Sequence, residues 1–123
     1  MQVEQSIQRQ ILDFLRWRGV PCYKHQNAGI YREGRYIPSH TRGVSDIIGV
    51  IPPLGRYLAI EVKRPGGKPT LEQSQFIDTI NQAGGLAFVA HSVEEVQEKL
   101  NDALRNQTNR ARGGEALAGR IAA

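Results

Sequence analysis

The chain lacks most of the features that mark secreted, membrane-spanning or zinc-stapled proteins. It has one cysteine in 123 residues, so no intrachain disulfide can form. Cys22 and His25 have a metal-like spacing, but no second Cys or His pair accompanies them, and a zinc site is not expected. Cys22 reads instead as a half-buried thiol on a strand. No apolar stretch approaches the ~20 residues that span a bilayer, and Met1 to Gln10 lack the apolar core of a signal peptide. These absences predict a soluble, intracellular protein, cytoplasmic and without a membrane partner. There is no internal repeat.

What is present fits one compact domain. With 40% hydrophobic residues, a chain of this size can enclose a single core. Its formal charge is +4, which favours a polyanionic partner without identifying one. The distribution says more, because Arg32, Arg35, Arg42, Arg56, Lys63, Arg64 and Lys68 crowd the middle of the chain.

Apolar residues at spacings of three and four, namely Val3, Ile7, Ile11, Phe14 and Leu15, predict an amphipathic helix over Val3 to Arg18 that Gly19 ends. Val20 to His25 reads as a short strand. Ile30 to Ile37 reads as a basic, peripheral hairpin turning at Glu33-Gly34. The runs Val44 to Ile51 and Tyr57 to Lys63 form a central antiparallel pair, broken by Pro52-Pro53-Leu54-Gly55 and ended by Pro65-Gly66-Gly67. Thr70-Leu71-Glu72-Gln73 has capping-box spacing and opens a helix with Phe76, Ile77, Ile80 and Ala83 inward. A buried strand over Leu86 to Ala90 follows. Ser92-Val93-Glu94-Glu95 then opens a last helix with Val93, Val96, Leu100 and Leu104 as its stripe. The expected class is α/β, with a central mixed sheet flanked by helices in the order α-β-β-β-α-β-α and a small hairpin insert. Residues 1–104 form the domain. After Arg105 the composition shifts to Asn, Arg, Gly and Ala, and 105–123 reads as a flexible C-terminal tail.

The chemistry gathers on the central pair. Alternation along Tyr57 to Lys63 puts Glu61 and Lys63 on one face and Ile60 and Val62 on the other. Asp46 lies near the start of the preceding antiparallel run, so the turn between the runs returns it to the end that carries Glu61. Neither run contains another acid. Two hard carboxylates, with the Val62 carbonyl as a third oxygen, suit Mg²⁺ or Mn²⁺. Lys63 beside them can orient an attacking water and offset charge on phosphoryl oxygens. A basic rim around such a site suits a phosphodiester.

Gly43-Val44-Ser45-Asp46, then Glu61-Val62-Lys63, then Gly67 and Gln75 resemble the virus-type replication-repair nuclease domain, VRR-NUC, of the PD-(D/E)XK or restriction endonuclease-like superfamily. The resemblance spans roughly Glu4 to Val96. It departs from the superfamily pattern at Ser45, which stands where a proline precedes the motif aspartate. The likeness implies a restriction endonuclease-like core and Asp46, Glu61 and Val62 as metal ligands, with Lys63 as the catalytic lysine. It also implies roles for Glu4 and Gln75. Glu4 either holds a second metal or its water, or only favours the positive end of its helix. Gln75 either bridges to the metal water or the scissile phosphate, or is an ordinary exposed helix residue. His25, Asn27, His40, Arg42, Arg64 and Lys68 are candidates for contacts with phosphate or bases, and His91 is expected only to finish its strand.

The activity so implied is a Mg²⁺- or Mn²⁺-dependent DNA endonuclease that leaves a 5′-phosphate and a 3′-hydroxyl. Small stand-alone members resemble enzymes selective for branched, flapped or junction DNA. The alternatives are a non-catalytic nucleic-acid-binding module and an interaction subunit of a repair complex. A homodimer is expected, since one domain holds one site and cutting two strands needs two. Tyr31, Tyr36 and Ile37 of the hairpin either serve that interface, pack on their own sheet or clamp DNA.

Overall fold

A computed structural model describes residues 2–26, 30–37 and 42–122, with side chains described for 3–26, 31–37 and 42–107. The chain divides into two compact units, Met1–Val93 and Glu94–Ala123.

Helix α1 (Gln2–Trp17) opens the first unit. Its stripe buries Ile11, Leu12 and Leu15, whereas Val3 in the first turn is exposed, against the periodic expectation. Gly19, at φ 76°, takes the left-handed conformation that ends the helix. The Val20 N–H then returns to the Leu15 carbonyl at 2.9 Å, the longer bond of a Schellman motif.

Strand β1 (Cys22–Lys24) starts two residues later than expected. Pro21 has no N–H to give a ladder, though its carbonyl still accepts from Val50 N–H at 2.9 Å. Strands β2 (Ile30–Arg32) and β3 (Arg35–Ile37) form the hairpin insert, and β4 (Ile47–Ile51), β5 (Arg56–Val62) and β6 (Leu86–Ala90) complete the set. The main sheet has the order β1-β4-β5-β6, while β2 and β3 pair as a separate two-stranded sheet. Strand β5 is antiparallel to β4 and parallel to β6. A parallel pair needs a crossover, and helix α2 (Leu71–Gln82) supplies it. The mixed α/β architecture and element order are those expected from the sequence.

The two faces of β5 are packed differently. Leu58, Ile60 and Val62 are almost fully buried on one. On the other, Ala59 joins Ile48 and Ala87 in a cluster covered by Val44, Phe76, Ile77 and Ile80. The two alanines leave room for α2 to lie close. Ala83, expected inward, is instead the exposed C-cap of that helix. Two polar clasps fix the C-terminal end of α2. Asn81 exchanges hydrogen bonds with both the N–H and the carbonyl of Ala87. Arg56 donates to the carbonyls of Gly84 and Gly85 at 2.9 and 3.0 Å. Arg56 therefore holds a helix end in place, at the opposite end of β5 from Glu61, and does not belong to a basic rim around the acids.

Helix α3 (Val93–Ala122) runs for 30 residues, and Val96, Leu100 and Ala103 are buried. The composition change at Arg105 does not end it. Its backbone stays helical to Ala122, even through Gly113, Gly114 and Gly119, whose helix propensity is low. No helix among the described residues is long and apolar enough to cross a membrane.

Candidate active site

The β4/β5 register pairs Ile51 with Arg56 at one end and Ile47 with Ile60 at the other. Continued one step, it sets Asp46 opposite Glu61, on the same face. The backbone ladder stops at Ile47, short of the expected start at Val44, because Asp46 substitutes its side chain. The Val62 N–H donates to Asp46 Oδ2 at 2.9 Å, while the Asp46 carbonyl accepts from the His25 N–H. The carboxylate is thus held from the side of β5, and the backbone from the side of β1.

Gly43 makes this turn possible. Its φ is 85°, and a Cβ there would lie 2.7 Å from the Glu72 carbonyl oxygen. Only glycine fits so close to the first turn of α2. Ser45, in the place of the superfamily proline, is fully buried, and its Oγ has no hydrogen-bond partner among the described residues.

Glu61 is only 2% exposed. Its Oε1 accepts from Gln73 Nε2 at 2.8 Å and lies 3.5 Å from Lys63 Nζ. Its Oε2 is buried with no hydrogen-bond partner among the described residues. Burial first, and then the negative charge of Asp46, push the Glu61 carboxyl up to about 8, against the opposing pull of Lys63. Two carboxylates this close cannot both ionise cheaply without added positive charge. A buried oxygen left unpaired beside a second carboxylate is a setting that a small divalent cation fits. No group of three or more His, Cys, Asp or Glu side chains gathers as a metal site among the described residues. The Val62 carbonyl, expected as a third oxygen, stands between Glu61 and Lys63 in the sequence.

Gln73, which sequence reasoning used only as a cap, is the glutamine at the site. Thr70 Oγ1 accepts from the Gln73 N–H, and Gln73 Oε1 accepts from the Thr70 N–H at 2.8 Å. The capping box thereby fixes the amide so that its Nε2 meets Glu61. Gln75 lies two residues on, about 200° around the helix, and is exposed. Gln73, and not Gln75, is thus the helix glutamine that the structure brings to Glu61. The signal that could have found it was the capping box itself, since a glutamine at N3 beside the end of β5 is turned toward the strand.

Lys63 also opens onto a cleft of about 310 Å³ lined by Glu4, Lys63, Arg64, Gly67 and Lys68. Glu4 reaches it from α1, and its Oε1 accepts from the Arg64 N–H at 3.3 Å. That places Glu4 at the rim beside Lys63. A tight turn from Arg64 to Gly67 forms the wall, closed by the Gly67 N–H to the Arg64 carbonyl at 2.8 Å. His91 Nε2 lies 2.9 Å from the Gly67 carbonyl, so His91 does more than finish β6 and pins this wall. Arg64 and Lys68 are exposed at the cleft. Arg42 is exposed beside the Gly43 turn and pairs with Glu72 at 3.7 Å. His25 joins the site through its backbone. Asn27 and His40 lie outside the described residues. Cys22 is half-buried, its Sγ 3.9 Å from the Leu12 carbonyl, and burial raises its thiol; it is a packed thiol rather than a ligand.

Comparison with known proteins bears on the family and the fold. A family model described as the VRR-NUC domain matches residues 22–94, more than half of the chain. A solved structure titled "VRR_NUC domain" superposes with a TM-score of 0.59 at 22% identity, covering 80% of this chain and 95% of that one. At this identity the superposition speaks for the fold alone. No curated protein matches. The family match contains Asp46, Glu61, Lys63 and Gln73 in one stretch and leaves Glu4 on α1 outside it. With the motif residues meeting in space on the fold of that family, the chain belongs to the VRR-NUC family of nuclease-type domains.

Proposed function

We propose that the protein is a metal-dependent DNA endonuclease, selective for branched, flapped or junction DNA, whose working residues are Asp46, Glu61, Lys63 and Gln73. The observation that carries this reading is the buried Glu61 facing the half-buried Asp46, with one Glu61 oxygen unpaired, directly beside Lys63 and a cleft edged by Arg64 and Lys68. Buried carboxylate oxygens are ordinarily hydrogen-bonded, so an unused one facing a second acid favours a cation site over a structural ion pair. Mg²⁺ or Mn²⁺, held by Asp46, Glu61 and the Val62 carbonyl, would polarise the scissile phosphate and acidify a water.

The chain's own groups supply the remainder. Gln73 holds one Glu61 oxygen and so fixes the rotamer of a carboxylate that would otherwise turn away from Asp46. Lys63, partly exposed at the cleft, offsets negative charge growing on the phosphoryl oxygens and can hold the attacking water. Arg64 and Lys68 draw the phosphate backbone into the cleft. Glu4 at the rim is placed to accept a hydrogen bond from a water there. Attack by water in line with the 3′-oxygen, which departs and takes up a proton, would leave a 5′-phosphate and a 3′-hydroxyl. Cutting both strands of a branched substrate calls for two sites in fixed geometry, which a two-fold homodimer provides.

The test is cleavage of linear, flapped, mismatched and four-way DNA by purified protein, with and without metal. Mg²⁺ and Mn²⁺ should each support cutting, with branched substrates preferred. Calcium should allow binding with little cutting, since its larger and looser shell positions a water poorly. Undiminished cleavage by metal-free protein in excess chelator would rule out this mechanism.

A further inference from the structure

The β2–β3 hairpin has no evident role in the core. Every described side chain from Tyr31 to Ile37 is exposed, Tyr31 at 80% and Tyr36 at 55%. Among the described residues the hairpin pairs with no strand of the main sheet. An isolated two-stranded hairpin is at best marginally stable in water, so such a segment needs a reason of its own.

Its two faces carry different chemistry. Tyr31 and Tyr36 are direct cross-strand partners, with ring centroids 5.3 Å apart and planes tilted by 55°. Both rings keep open surface. Arg32 and Arg35 are the next cross-strand pair, and alternation puts them on the opposite face. Like charges directly opposite destabilise a hairpin, and here they sit at the turn, where Glu33 and Gly34 both adopt positive φ, 54° and 75°. An anion between the two guanidinium groups would remove that repulsion. Aromatic rings for stacking on one face and long cationic side chains for phosphate on the other let one narrow ribbon take both the bases and the backbone of an unpaired strand. A protein surface would supply no such regular row of anions.

We propose that the β2–β3 hairpin is a nucleic-acid arm that takes an unpaired stretch of the substrate, with Tyr31 and Tyr36 stacking on bases and Arg32 and Arg35 neutralising phosphates. The inference rests on the nuclease reading above and adds to it the element that recognises the single-stranded part of a flap or branch.

The test is binding in calcium, followed by fluorescence anisotropy, of a labelled flap and of the matching duplex without its single-stranded arm. Tyr31→Ala with Tyr36→Ala should weaken flap binding roughly tenfold or more and affect the plain duplex much less. Tyr31→Phe with Tyr36→Phe should restore flap binding, since stacking needs the ring and not the hydroxyl. Arg32→Ala with Arg35→Ala should weaken flap binding and lower its salt slope by about one or two, and affect the plain duplex much less. Equal flap affinity in wild type and the tyrosine-to-alanine variant would overturn the arm while leaving the nuclease reading intact, if the wild type still cuts. A variant that instead falls from dimer to monomer in sedimentation, with flap affinity per chain unchanged, would assign the hairpin to self-association and overturn it too. Failure of the wild type to bind or cut any DNA would overturn both readings.

Discussion

Glu61 concentrates the conflict in this fold. It is an acid buried against a second acid, kept in place by a glutamine and a lysine, and its carboxyl is raised from its usual 4.5 to about 8. A raised carboxyl means that the metal-free folded state holds a proton that the unfolded chain has released. Its contribution to stability is complete below 4.5 and is lost as pH climbs through that window to about 8. The melting temperature of metal-free protein should therefore fall from about pH 5 to about pH 8, and Glu61→Gln should flatten the fall. Parallel melting curves for the two proteins across that range would contradict this account. Asp46→Asn should likewise raise the metal-free melting temperature, because it removes one of the two repelling charges. Activity should move the other way. Asp46→Ala, Glu61→Ala and Lys63→Ala should each abolish DNA cleavage while circular dichroism stays native, and wild-type rates in all three would defeat the assignment.

At the scale of elements, the site depends on how two strand ends and one helix start are locked together. The Gly43 turn lets Asp46 leave the ladder and seats the backbone against Glu72. Gly43→Ala should cost about 1–3 kcal/mol, since it adds both a strained φ and a backbone clash, and a chemical denaturation series would measure it. The Thr70 capping box is the second lock, because the same amide that closes the box holds Glu61. Gln73→Ala should lower cleavage by about ten- to a hundredfold, the usual loss when a partner that orients a ligand is removed. Gln75→Ala, two residues on and exposed, should leave the rate near wild type. Equal losses from the two changes would return the role to Gln75 and remove the reason for assigning it to Gln73.

At the scale of the whole molecule, the seven basic residues from Arg32 to Lys68 are divided between uses. Arg56 holds the end of α2 and Arg42 faces Glu72, while Lys63, Arg64 and Lys68 stand at the cleft and Arg32 and Arg35 on the hairpin. The homodimer proposed for two-strand cutting belongs to this scale too. Sedimentation at micromolar concentration should show a species near twice the 13.7 kDa chain mass. A strictly monomeric protein that cuts both strands of a four-way junction in one concerted event would refute it.

Most of the architecture could be read along the chain, because periods of about 3.6 and 2 are local consequences of burial, and Gly19, Thr70 and the Glu33-Gly34 turn act on their immediate neighbours. The same local alternation put Glu61 and Lys63 on one face, and the length of the turn after Ile51 was enough to bring Asp46 back to them. Other features needed the assembled chain. Whether Gln73 or Gln75 faces Glu61 depends on the rotation of α2 about its axis, which is set by the residue that caps it and by Phe76, Ile77 and Ile80 meeting the alanine-lined sheet. The contact of Glu4 with Arg64 joins residues 60 apart in sequence, and that of His91 with Gly67 joins residues 24 apart; no local pattern encodes either. The unpaired Glu61 oxygen is likewise a property of the packed state, because an exposed carboxylate would be satisfied by water and only burial leaves it without a partner.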